Sequence, residues 1–190
     1  ADTSKMTFAT TSNISQITDK SSNAFPFNPM SGSGNPVYLS NFNGSYPCLN
    51  SISGANILSN ARTVAATSVQ GTTGLSYFLV GQWNSGYGLV EFENTGVGGT
   101  RIIDIEANGT NIRFDYNATA YLTTSAFNVP FMCYISYNSN TSTLQFYYNG
   151  TLTSNITSVA SASLAYSSGY GFFGQNSGTT GAYATQGQIA

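Results

Sequence analysis

The sequence predicts an all-β fold, an antiparallel β-sandwich of the jelly-roll type, and three observations lead to it. Short runs of alternating apolar and polar residues recur along the chain and are rich in aromatic and β-branched residues. Asn-Gly and other glycine-containing turns separate these runs. No stretch keeps a helical period for more than a turn or two. Together these patterns are typical of roughly a dozen short antiparallel strands.

The composition indicates one domain, residues 1–190, with enough apolar material for a core. Aromatic residues make up 14% and hydrophobic residues 41% of the chain, which argues against disorder although only 6% is charged. The 5 basic residues form no cluster, so no nucleic-acid binding is expected. No apolar run reaches the ~18 residues that a membrane-spanning helix needs, so no membrane insertion is expected.

The first half of the chain contains a loop-rich entry segment followed by predicted strands. Residues 1–36 lack sustained periodicity and carry Pro and Ser-Gly runs, so we expect an ordered loop with one short strand near Ser15–Thr18. A turn at Asn43-Gly44 separates two predicted strands, Val37–Leu39 and Tyr46–Ile52. The next predicted strands are Ala61–Ser68, Leu75–Gln82, which is apolar enough to be buried on both faces, and Gly86–Glu93.

The second half carries the most regular pattern. Two alternating runs within residues 129–157 meet at a polar turn, and Asn149-Gly150 then tolerates the positive φ of a tight hairpin. We therefore predict a three-strand antiparallel meander there. The remaining predicted strands are Arg101–Ala107 and Asn111–Tyr116, paired across Asn108-Gly109, then Ser163–Tyr166, Tyr170–Gly174 and a closing strand within 181–190.

Four segments, in the expected order, resemble motifs of the concanavalin A-like superfamily, specifically its laminin-G-like branch. They are ISQITDKSSNAF (14–25), FNGSYPCLNSISGANIL (42–58), PFMCYISYN with TLQFYYNG (130–138 and 143–150), and YGFFGQN with GAYATQGQIA (170–176 and 181–190). The resemblance implies a concanavalin A-like jelly roll. The chain begins and ends within family segments, so we expect it to be a piece of a longer polypeptide. The family also implies a non-catalytic recognition module of an extracellular or virion-surface protein, with glycans or neighbouring structural proteins as partners.

The residue inventory argues against catalysis. The chain contains no histidine, which excludes Ser-His-Asp and Cys-His catalysis and histidine-based zinc sites. The segment Arg101–Glu106 resembles the E-I-D-I-E-F strand of concanavalin A-like glucanases of the lichenase and endotransglycosylase kind. Asp104 and Glu106 match that strand, but Ile102 occupies the position of the nucleophilic Glu, without which no glycosyl-enzyme can form. A glucanase-type hydrolase is therefore the disfavoured alternative, and we predict no enzyme.

We predict no cofactor, although a structural Ca²⁺ stays open because some laminin-G-like and legume-lectin relatives coordinate one. By that resemblance, the candidate carboxylate ligands are Asp19, Asp104 and Asp115, but the chain contains no Asp-x-Asp-x-Asp spacing. Cys48 and Cys133 lie in predicted strands, and we interpret them as buried thiols. An inter-strand disulfide between them is the alternative that the sequence leaves open.

Sugar recognition needs an aromatic platform beside neutral amide and hydroxyl groups. The sequence offers such residues, with the loop 83–88 (WNSGYG) as the expected rim and Tyr87 exposed by its turn. The candidate ligand-binding residues are Gln82, Trp83, Asn84, Tyr87, Gln145 and Tyr147. The competing hypothesis is a purely structural domain of a virion or appendage, held to its neighbours by edge strands or apolar patches, which the low charge also fits.

Overall fold

Two antiparallel sheets contain all the described strands of the computed structural model, numbered β1 to β16 in chain order after a short 3-10 helix at Thr3–Lys5. The structure describes residues 3–18, 26–29, 34–42, 44, 46–51, 58–60, 74–86, 90–94, 100–108, 111–116, 119–125, 128–160, 169–172 and 185–189. Within these ranges, no helix is long and apolar enough to span a membrane.

The larger sheet, here called the back sheet, has nine strands. Short strands from the start of the chain form one end of this sheet, and a meander of longer strands forms the other. In spatial order it consists of β1 (Met6–Phe8), β2 (Ile14–Thr18), β3 (Pro26–Pro29), β6 (Leu58–Asn60), β15 (Gly169–Phe172), β8 (Val90–Asn94), β9 (Thr100–Asn108), β10 (Asn111–Tyr116) and β11 (Thr119–Ser125).

The second sheet, the front sheet, has seven strands arranged around the long β7. In spatial order it consists of β14 (Thr151–Ile156), β13 (Thr143–Tyr148), β12 (Phe131–Asn138), β7 (Gly74–Gly86), β16 (Thr185–Ile189), β5 (Tyr46–Ser51) and β4 (Val37–Phe42). The strand β12 pairs with β7 from Gly74 to Gly81, and β16 pairs with the opposite edge of β7 from Gly81 onward.

The core lies between the two sheets and is built by strict alternation. On β12, Phe131, Cys133 and Ile135 are buried, as the period of two predicts. Phe146 of the front sheet stacks on Phe114 of the back sheet, with ring centroids 4.4 Å apart and planes 4° from parallel. Each fully buried side chain of this size contributes about 1.5–3 kcal/mol of hydrophobic free energy. The contact between these two rings therefore helps to hold the sheets face to face.

Most predicted elements of the second half are confirmed. The meander of residues 129–157 is the run β12–β13–β14, and Asn149 and Gly150 have the positive φ values, 48° and 80°, that its tight turn requires. The hairpin across Asn108-Gly109 is β9–β10. Cys48 and Cys133 are free and buried thiols, and burial raises the pKa of Cys133 to about 12. The predicted strands at Ala61–Ser68 and Ser163–Tyr166 lie outside the described residues.

Three expectations were wrong or incomplete. The entry segment contains β1, β2 and β3 rather than a loop with one short strand, because backbone pairing compensates for its weak periodicity. The apolar run Leu75–Gln82 is not buried on both faces, since Phe78 is 59% exposed on the side away from the core. Besides β1 and β3, two further strands were not predicted, β6 and β11.

Candidate functional site

The charged residues are divided unequally between the two sheets. The chain has 5 Lys and Arg residues and 7 Asp and Glu residues, and none of them falls within the seven front-sheet strands over the ranges given above. Three adjacent back-sheet strands, β8, β9 and β10, hold Glu91, Glu93, Arg101, Asp104, Glu106, Arg113 and Asp115. The front sheet therefore presents a surface of neutral side chains only.

The outer face of the front sheet carries a line of apolar and aromatic side chains, here called the aromatic row. Its members are direct partners across four neighbouring strands: Phe78, Tyr134, Tyr147 and Leu152. Phe78 is 59% and Leu152 45% exposed, and the two tyrosines are half-buried between them. The Tyr134 and Tyr147 rings have centroids 5.6 Å apart with planes tilted by 45°. Four large side chains are thus aligned perpendicular to the strands on an accessible face.

A second line of side chains, the polar row, lies on the same outer face directly beside the aromatic row. Its members are Ser76, Ser136, Gln145 and Asn155, again paired directly across β7, β12, β13 and β14. The Ser76 hydroxyl lies 3.2 Å from the Tyr134 hydroxyl, and the Tyr147 hydroxyl donates to Gln145 Oε1 at 3.3 Å. These contacts connect the two rows and limit the freedom of both phenols.

The hydrogen bonds to Tyr134 also affect its acidity. The Ser76 hydroxyl, and with it Ser136, favours the phenolate and lowers the pKa of Tyr134 from its ordinary value.

The structure separates the residues that the sequence predicted as one sugar-binding rim. Gln145 and Tyr147 lie in the polar and aromatic rows. Gln82 and Asn84 alternate with the buried side chains of β7, so they lie on the same outer face as Phe78. The Asn84 side chain is held in place, because its Nδ2 donates to Asn128 Oδ1 at 2.7 Å. Tyr87 lies outside the described residues.

The expectation that Trp83 forms an exposed rim was wrong. Residues 83–86 continue β7 instead of forming a loop, and the Trp83 side chain is 0% exposed within the core cluster. Its position follows from alternation, since Leu79, Gly81 and Trp83 all face inward. The Asn128 amide, in a residue with φ of 57°, donates to the Trp83 carbonyl at 2.8 Å and extends the pairing of β7 past the end of β12.

Sequence reasoning also missed Phe78, Tyr134 and Ser76. Alternation along the strand places Tyr134 on the face opposite to the buried Cys133 and Ile135, so the sequence pattern could have predicted its accessibility. The sequence pattern could not have predicted the alignment of Phe78 with Tyr134, because β7 and β12 are distant in sequence and their register depends on the topology.

The backbone register of the back sheet pairs several acidic residues across neighbouring strands. On β9, Asp104 is the direct partner of Glu91 on β8 and of Asp115 on β10, and Glu106 is the partner of Arg113. The buried Asp115 side chain accepts from Arg113 Nε at 3.0 Å and from Arg113 Nη2 at 2.5 Å. Among the side chains that the structure describes, no three His, Cys, Asp or Glu residues are gathered as a metal site. The expectation of no cofactor, with a structural Ca²⁺ left open, stays a prediction, and Asp19 lies outside the described residues.

The comparisons with known proteins concern the fold. No protein-family model matches the chain, and no curated protein matches it by sequence. A CBM40 module of the Ruminococcus gnavus IT-sialidase, solved bound to α2,3-sialyllactose, superposes with a TM-score of 0.57 at 13% identity, over 75% of this chain and 85% of that one.

Two further similar structures come from other kinds of protein. A Trypanosoma rangeli sialidase aligns with a TM-score of 0.62 at 12% identity, over 97% of this chain but only 29% of the sialidase. A carbohydrate esterase of the Shiga toxin-encoding bacteriophage phi24B aligns with a TM-score of 0.52 at 13% identity, over 83% of this chain and 85% of the esterase. At these low identities the similarity establishes an all-β sandwich of the jelly-roll kind. It does not establish a function, which must be argued from the residues of this chain.

Proposed function

We propose that this chain is a non-catalytic glycan-recognition module that binds its ligand on the outer face of the front sheet. The observation that carries the proposal is the aromatic row lying directly beside the polar row. Sugar rings combine an apolar C–H face with dense hydroxyl groups, so they match a surface with both features. The similar fold of a CBM40 module solved with sialyllactose supports a role in carbohydrate binding.

The site is also rigid enough to bind without large rearrangement. Its side chains are carried by paired strands, and two of its phenols are already hydrogen-bonded to the polar row. Preorganised side chains lose little conformational entropy when a ligand binds. This arrangement favours recognition by the sheet face itself rather than by a loop.

Binding measurements on a glycan array, followed by calorimetry on the glycans retained, test the proposal. Tyr147→Ala and Tyr134→Ala should each weaken binding by about tenfold, which corresponds to about 1.4 kcal/mol and to the loss of a central contact residue. Tyr46→Ala is the matched control, because Tyr46 is 67% exposed but lies on β5, outside the aromatic row. Binding that is unaffected by both row variants, or no retained glycan at all, contradicts the proposal.

A structural role for the same face is the second candidate. Phe78, Met132 and Leu152 are exposed apolar side chains on the front sheet and its edge strand, and such surfaces also form protein contacts. The two roles predict different results in analytical ultracentrifugation. Self-association that depends on concentration and is abolished by Leu152→Ser, without glycan binding, favours the structural role.

Catalysis and location complete the proposal. A glucanase role is disfavoured by Ile102 at the nucleophile position of the related strand, so we expect no hydrolysis of β-glucans. We propose an extracellular or virion-surface location within a larger protein, a proposal that rests on the sequence resemblance. Membership of the laminin-G-like branch is likewise a proposal that rests on the sequence resemblance.

A further inference from the structure

We infer that the ligand is an uncharged internal segment of a polysaccharide that lies across the strands of the front sheet, and not an acidic sugar at a chain end. This inference rests on the proposed function and specifies the class of glycan. Two independent features lead to it, the distribution of charge and the shape of the two rows.

The first feature is the absence of charge from the front-sheet strands. An acidic sugar carries a carboxylate, and a protein usually holds that group with an Arg or Lys, because burying an unpaired anion is costly. Lys5 lies in the N-terminal 3-10 helix, Arg101 lies in β9, and Arg113 is bound to Asp115 on the back sheet. Lys20 and Arg62 lie outside the described residues. The described part of the front sheet therefore offers a carboxylate no cationic partner.

The second feature is the length of the rows. Each row crosses β7, β12, β13 and β14, and three inter-strand steps of about 4.8 Å give a span of about 14 Å. A single sugar ring would cover only part of that length, whereas an extended oligosaccharide would contact all four strands. The rows also set the axis of the bound chain, since its C–H faces would lie over the aromatic row and one edge of hydroxyls would face the polar row.

The ends of the aromatic row are accessible. Phe78 at one end and Leu152 at the other are its two most exposed members. A polysaccharide could thus enter and leave the surface at both ends, which an internal segment requires.

The experiment compares matched ligands on the full chain by calorimetry. Neutral homo-oligosaccharides of one to six units, from glucan, xylan and mannan, measure the dependence on length. Lactose and 3′-sialyllactose differ only in the acidic sugar. We expect affinity to rise at least tenfold from one unit to three or four units and then to level off. We expect 3′-sialyllactose to bind no more tightly than lactose. The affinity should change less than twofold between 50 and 500 mM NaCl, concentrations over which the Debye length falls from about 14 Å to about 4 Å.

Variants at the two ends test whether the bound chain extends along the whole aromatic row. Phe78→Ala and Leu152→Ser should weaken the binding of a tetrasaccharide at least threefold and leave a disaccharide unaffected, whereas Tyr147→Ala should weaken both. Val129→Ser is the matched control, since Val129 is 54% exposed and lies outside both rows.

The outcomes separate the two levels of the proposal. Tighter binding of 3′-sialyllactose than of lactose by tenfold, weakened by Tyr147→Ala, would overturn this inference and leave glycan recognition by the front sheet standing. Affinity that does not depend on length would overturn it as well. The absence of any glycan binding would overturn both.

Discussion

Removal of the Phe146 ring is the sharpest test of how the two sheets are held together. The ring is 0% exposed and stacks on Phe114 of the opposite sheet at 4.4 Å. Phe146→Ala removes its transfer free energy and leaves a cavity between the sheets, so the free energy of unfolding should fall by about 3–5 kcal/mol. For a chain of this size, a loss of about 4 kcal/mol corresponds to a melting temperature lower by about 8–16 °C.

Urea unfolding followed by tryptophan fluorescence measures this loss. Trp83 is the single tryptophan and is fully buried in the same core cluster, so its emission reports when water enters that cluster. The unfolding midpoint should fall while the dependence on urea stays unchanged. Phe78→Ala provides the control, because that ring is 59% exposed and its removal should cost less than about 0.5 kcal/mol.

A double-mutant cycle isolates the stack from the cavity. Phe114→Ala, Phe146→Ala and the double variant should give a coupling free energy of about 0.5–1.5 kcal/mol, the usual range for an aromatic pair. A loss below about 1 kcal/mol for Phe146→Ala, or a coupling near zero, would refute the packing of Phe146 against the back sheet.

Three further perturbations probe single features of the sandwich. Trp83→Phe should change the free energy of unfolding by less than about 1 kcal/mol. The buried Trp83 Nε1 has no hydrogen-bond partner among the described residues, so removing this unpaired donor offsets the lost ring area. Urea unfolding followed by circular dichroism measures the change, and a loss above about 3 kcal/mol would contradict this expectation. Burial raises the pKa of Cys133 from 9.0 to about 12, so the neutral thiol stabilises the fold fully below pH 9.0, and this stabilisation is lost between pH 9.0 and about 12, at about 1.4 kcal/mol per pH unit. The difference between the wild type and Cys133→Ala over that range isolates the effect, and parallel pH curves would disprove it. Asn149→Ala should lower the free energy of unfolding by about 1.5–3 kcal/mol, because Asn149 has φ of 48° and its Oδ1 accepts from the Met132 amide at 2.9 Å. Asn149→Gly loses the hydrogen bond but not the favourable backbone conformation, so it should cost only about 1 kcal/mol in urea unfolding. Equal costs for the two variants would contradict this separation of backbone strain from hydrogen bonding.

The parts of the fold that local pattern could predict are those with local pairing. The meander of residues 129–157 and the hairpin of β9 and β10 pair neighbours in sequence, so alternation and an Asn-Gly turn were sufficient. In the entry segment, β3 pairs with the distant β6, and no local signal marks that partner. The strand β11 was missed for a different reason, since it pairs with its neighbour β10 but a bulge interrupts its alternation.

The candidate site was predicted in part for the same reason. Gln145 and Tyr147 were identified from the chemistry of one strand, and both lie on the accessible face. The error at Trp83 came from interpreting Asn-Ser-Gly as a turn, although the alternation that begins at Leu79 continues through Trp83. The neutral character of the whole front sheet was not predictable, because it depends on which strands share a sheet.

The position of β16 has a consequence for how the chain folds during synthesis. Its residues, 185–189, lie between β7 and β5 and join the strands β14–β13–β12–β7 to the pair β5–β4. Until those residues leave the ribosome, the front sheet exists at most as two separate pieces with unpaired backbone edges. Such edges can pair with other chains. Completion of the front sheet therefore waits for one central strand that is synthesised after both of its partners, and the interval before it leaves backbone edges open to pairing with other chains.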